Sequence, residues 1–74
     1  MNKQRREKLR NVRKELKISN EKLRILLDEE QNYYDNMPEN LQSSLRASYS
    51  EDAIDILEEC IEYLENVIDK LMEI

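Results

Sequence analysis

Four kinds of side chain in this 74-residue sequence have the reactivity to do chemistry: one cysteine, the serines between residues 43 and 50, a run of carboxylates, and tyrosines grouped around an arginine. Cys60 is the only cysteine, so it forms no disulfide within the chain, and its spacing to other ligand types makes no zinc pattern. It falls in an apolar row and reads as a small buried hydrophobe rather than a reactive thiol. Ser43, Ser44, Ser48 and Ser50 lack a base to activate them, because the chain has no histidine and no lysine is placed in sequence to serve. They read as helix caps, with Ser48 and Ser50 as the candidates ahead of the last helix. Asp55, Glu58, Glu59, Glu62, Glu65 and Asp69 have the hard oxygens a divalent cation takes, but a metal site in a bundle needs inward carboxylates, often with histidine. These acids flank or oppose the apolar row, so a solvated face is expected. The residues therefore predict no catalytic group, no metal site and no cofactor, and they name no reaction.

Two groups suit recognition instead. Tyr33, Tyr34 and Tyr49 gather with Asn36, Gln42 and Arg46 around one corner of the chain, a mixture of amphipathic rings and amides typical of contact surfaces. The competing expectation is that the tyrosines only plug the open end of a hairpin. Arg5, Arg6, Arg10 and Arg13 make a basic start to the first helix that is able to meet phosphates. No aromatic residue stands among them to stack on bases, and the chain as a whole is acidic, with a net charge of −5. Pairing with the chain's own acids, or with those of a second copy, is the expected use, and nucleic acid an unlikely one.

The elements that must position these groups follow from composition and spacing. The chain has no glycine, and leucine, isoleucine, glutamate, lysine and arginine dominate it, which favours helix and argues against β-structure. In the first half, Leu9, Val12, Leu16, Leu23, Leu26, Tyr33 and Met37 recur in alternating steps of three and four, with Ser19 and Glu30 filling the two vacant places. This predicts one helix over about 2–34. Ile18 and Ile25 lie seven apart on a neighbouring face, and Leu27 just beyond the row. Pro38, the only proline, ends the helix, and Asn36 followed by Glu39 resembles a capping box opening a new one, so a turn is expected at Asp35 to Met37. Leu41 and Leu45 predict a short helix over about 38–46. A break is expected between Arg46 and Ser50, and then a helix over about 51–73.

That last helix carries Ile54, Leu57, Ile61, Leu64, Ile68 and Leu71 as one row. Ala53, Cys60, Val67 and Ile74 stand beside it, with Ile56 and Tyr63 further round. A two-helix seam uses two positions in seven, and this helix uses three to four, so it is expected to face two neighbours. Charge agrees with an antiparallel arrangement. Residues 1–27 hold ten basic and three acidic side chains, and residues 28–74 hold two basic and fourteen acidic. Folding the second half back sets the basic end beside the acidic end. Glu30, at a core place near the corner, is expected to pair with Arg46 or to sit where water reaches it.

The stretch Asp35-Asn36-Met37-Pro38-Glu39-Asn40-Leu41-Gln42-Ser43-Ser44, preceded by Asp28-Glu29-Glu30-Gln31 and followed by Glu51-Asp52-Ala53-Ile54-Asp55 and Leu57-Glu58-Glu59, resembles small, largely uncharacterised helical proteins of bacteriophages and prophages. The likeness spans about residues 23–71 and is specific mainly between Asn36 and Ser44. In that family an Arg-Gly-Glu step often follows the serines, where Leu45-Arg46-Ala47-Ser48-Tyr49 stands here. The resemblance implies a viral accessory protein and assigns no site.

The resulting expectation is a single all-α domain over residues 1–74, an antiparallel helical hairpin pairing with a second copy as a four-helix bundle dimer. Its expected role is non-enzymatic: an interaction protein that binds and blocks a host protein, such as a component of a defence system. The alternatives are a bundle that sequesters a small anionic ligand such as a signalling nucleotide, or a nucleic-acid contact through the basic helix. No apolar run reaches the roughly 20 residues of a membrane span and no signal core follows the basic start, so no membrane partner is expected, and the expected location is the cytoplasm, that of the host if the protein is phage-encoded.

Overall fold

A computed structural model describes residues 1–74 as two helices joined by a tight corner: α1 over Lys3–Asp35, a single 3-10 turn over Glu39–Leu41, and α2 over Leu45–Leu71. The expected first helix is present with its predicted length. Asn2 caps it, its side-chain oxygen accepting from the Arg5 N–H at 2.8 Å. No acid stands in its first turn and no base in its last, so the helix forms against its own dipole and depends on packing to persist.

The corner lies where the proline placed it, but its parts play other roles than expected. Asn36 opens no new helix; it closes α1. Its backbone N–H donates to Asn32 O at 3.0 Å and its side-chain amide donates to the same oxygen at 2.8 Å. The short helix expected over 38–46 contracts to one 3-10 turn, in which the Leu41 N–H reaches Pro38 O at 2.8 Å. The break expected between Arg46 and Ser50 is absent. α2 starts at Leu45, with Ser44 as its cap, its hydroxyl accepting from the Ala47 N–H at 3.3 Å. Neither Ser48 nor Ser50 caps anything. The reason is steric: Met37 is tucked under the corner beside a register that continues backward through Ala47, only 1% exposed, and Ser50. These small residues let the two backbones approach early and extend the helix, although leucine spacing gave no sign of it.

The hairpin is a rod, 59 × 14 × 13 Å, with a radius of gyration of 17.2 Å. A compact globule of this length would have about 11 Å. Only seven residues are buried, so the core is one seam. On α2 the seam runs through Ala47, Ser50, Ile54, Leu57, Ile61, Leu64, Ile68 and Leu71, the expected row with a two-residue extension. On α1 it runs through Leu9, Arg13, Leu16, Asn20, Leu23, Leu27, Glu30, Tyr34 and Met37. Half of the expected α1 row is therefore corrected. The series from Leu9 to Met37 at sevens faces α2 as predicted, but its companion is the series beginning at Arg13, one residue beyond the one beginning at Val12. Val12, Leu26 and Tyr33 remain 46%, 50% and 47% exposed. Both companion series obey heptad spacing, and the seam takes the more polar one.

Polar groups inside the seam find partners at the corner end. Glu30 is half-buried and accepts a 2.8 Å hydrogen bond from the hydroxyl of buried Ser50; it is not paired with Arg46. Water still reaches its edge, as expected of a carboxylate there. The Tyr34 hydroxyl donates to Glu51. Farther along, Asn20 is buried with its side-chain oxygen unpartnered.

Candidate functional site

The corner residues picked out by sequence are divided among several surfaces. Tyr33, Asn36 and Arg46 come together in a shallow depression of about 360 Å³, with Glu29, Asn32 and Met37 among its other walls. Arg46 makes no ion pair and stands beside one carboxylate, Glu29. Gln42 belongs to the corner's own fabric, its amide donating to Met37 O at 3.5 Å. Tyr34 turns to the other flank, where the Glu51 carboxylate that accepts its proton holds the phenol above its ordinary pKa; partial desolvation and the charges of Glu51 and Asp35 act in the same direction. Tyr49 points outward on a third face, 67% exposed.

Cys60, expected to be buried, is exposed. It lies in the row beside the seam, which a second helix of the same chain does not reach. The acids of α2 gather into no group able to hold a metal ion. Their expected pairing with the basic half is nearly absent within the chain: Arg24–Glu65 is the one ion pair between the helices, and Lys70–Glu73 joins the last turn of α2 to the residues just beyond it. Of the four predicted basic contacts, Arg6, Arg10 and Arg13 share one concavity at the open end of the hairpin, and Arg5 does not line it.

Lettering the seam as heptads shows what the rod leaves outside. In α1 the a positions are 13, 20, 27 and 34; in α2 they are 47, 54, 61 and 68. The d positions complete the seam. In an antiparallel pair the e positions of both helices share one flank and the g positions the other. Arg24 and Glu65 are both e residues, and their ion pair marks that flank as polar. Tyr33 and Arg46 are both g residues, and they line the corner depression together.

The g flank is apolar except at Arg5, Ser19 and Arg46. α1 contributes Val12, Leu26 and Tyr33, and α2 contributes Ala53, Cys60, Val67 and Ile74, with Tyr49, Ile56 and Tyr63 in the adjoining c row. Among these, Ile56 and Tyr63 are 59% and 63% exposed. Isolated exposed apolar residues are ordinary, whereas a continuous apolar strip along a rod marks a contact surface. Sequence reading found the α2 half of this strip and assigned the α1 half to the core, because spacing alone does not distinguish the series at Val12 from that at Arg13.

The fold and this flank define the protein as an all-helical hairpin with one open apolar side. No protein-family model, curated protein or solved structure matches the chain. No helix is long and apolar enough to cross a membrane.

Proposed function

We propose that the protein is a non-enzymatic interaction module whose g flank, short of the corner residues Tyr33 and Arg46, is buried against a second copy, giving a four-helix bundle dimer. The observation that carries this is the choice of seam. The hairpin encloses Arg13 and Asn20 along with Leu27 and Tyr34, and leaves Val12, Ser19, Leu26 and Tyr33 outside, on the same flank as Val67 with Ile56 and Tyr63 in the adjoining row. A seam selected for the isolated hairpin would favour the apolar series. A seam that places the apolar series beside the second row of α2 builds one wide surface for another pair of helices. One core in a chain of this size rarely supplies more than about 3–5 kcal/mol, so covering that surface is also what makes the fold secure.

On this reading the assembled hairpins present their corners to a foreign partner. The resemblance of the Asp35 to Ser44 stretch to phage and prophage proteins supports a host protein in the cytoplasm as that partner, bound and blocked through Tyr33, Asn36 and Arg46. Sedimentation equilibrium at micromolar concentration tests the assembly. Wild type and Glu62→Gln sediment as dimers and Val67→Glu as a monomer, whereas a wild-type chain that stays monomeric refutes the bundle. The host contact is tested by affinity capture from a bacterial lysate with wild-type and Arg46→Ala baits. A protein retained by the first and lost from the second is the expected result, and identical captures overturn the role of the corner.

A further inference from the structure

We propose that the open end of the hairpin binds a small, multiply charged phosphate anion, held by Arg6, Arg10 and Arg13. Steps of four and three put these side chains on one face of the early turns of α1. There they line, with Leu9, Leu71 and Met72, a concavity of about 240 Å³ where α2 runs out against α1. None of the three is paired. The chain's two ion pairs lie elsewhere, and no carboxylate comes within ion-pair distance of any of these guanidinium groups. Arg13 adds an independent sign: its Nε is shut off from solvent and has no hydrogen-bond partner. A buried donor on a cation is costly to leave unmade, and three like charges on successive turns repel one another. The repulsion is relieved when an anion with several oxygens sits among them.

The chemistry of the walls selects the class of anion. Guanidinium groups are planar forks that bind phosphate oxygens in pairs, and three of them match two or more negative charges better than the single charge of a monocarboxylate. Leu9, Leu71 and Met72 supply an aliphatic wall beside the guanidinium groups. The site is a closed end rather than a track. The acidic length of α2 continues from it, and a long polyanion lying along the rod would meet those carboxylates. The anion site thus differs from a corner site at Arg46, where one cation is offset by Glu29 in the same depression. Ile74 of the g flank is also among the walls of the anion site, which therefore stands at the end of the surface proposed for the dimer.

The test is a titration of the isotope-labelled full chain with inorganic pyrophosphate at low ionic strength, following the Nε–H resonances of all its arginines, with acetate as the singly charged comparison. The Arg6, Arg10 and Arg13 signals are expected to shift saturably while those of Arg5, Arg24 and Arg46 stay, and acetate is expected to produce no saturation. Arg10→Gln, at an exposed position that leaves the fold intact, weakens pyrophosphate binding by about tenfold or more. Weak, unsaturated shifts spread over all six arginines overturn the site. So does undiminished affinity in Arg10→Gln. A single-stranded oligonucleotide that binds where pyrophosphate does not overturns it in favour of a nucleic-acid contact.

Discussion

Tyr34 and Asn20 occupy equivalent places in the α1 seam, yet only one of them has a partner, and the contrast can be measured. The Tyr34 phenol is held above its ordinary value by its hydrogen bond to Glu51. The unfolded chain therefore gives up this proton at lower pH than the folded one. The bond's stabilisation is fully present below about pH 10 and is lost as the pH rises through the folded value. In an ultraviolet titration of tyrosinate, one of the four phenols is expected to ionise late, and Tyr34→Phe to remove that late component; superimposable late ends in the two proteins would contradict the assignment. Asn20 has no comparable compensation, since its side-chain oxygen is buried without a donor. Asn20→Leu is expected to raise stability in urea unfolding by about 1–3 kcal/mol. A loss of stability would show that the amide has a partner in solution.

The start of α2 shows how far spacing can be read and where it stops. The apolar row from Ile54 to Leu71 was legible because every member is large and branched. The row's first two members, Ala47 and Ser50, were not, since small residues carry no hydropathy signal yet permit the close approach that fixes the register. The length and turn of α1 were legible from Asn2 onward to Pro38. Its rotation was not, because two series one residue apart satisfy the same heptads, and the one that faces α2 sets Tyr34 within reach of Glu51. Of the corner residues, Tyr33, Asn36 and Arg46 line one depression, while Tyr34 is turned away by that same rotation and Tyr49 faces outward from α2. Cap chemistry offers a direct check on the boundary. Ser44→Ala is expected to cost about 1 kcal/mol in thermal unfolding, while Ser48→Ala leaves the midpoint nearly unchanged. The opposite order would restore a break before Ser50.

For the whole molecule, the proposed dimer ties stability to concentration. If the g flank closes on a second copy, unfolding is coupled to dissociation, and the melting temperature rises with protein concentration. Wild type is expected to show that dependence by circular dichroism over the micromolar range. Val67→Glu is expected to lose it and melt lower. A wild-type midpoint independent of concentration would leave the flank to a foreign protein alone.

The single tight corner also sets an order of events. Met37 and Ala47 meet by closing a loop of about ten residues, whereas Leu9 and Leu71 meet only after nearly the whole chain has been drawn together, and the entropic cost of closure rises with that length. The two helices therefore zip from Pro38 outward and fray from the other end. Backbone amides near Ile54 exchange with solvent more slowly than those near Leu71, and the arginine-lined end is the last part of the rod to close and the first to open.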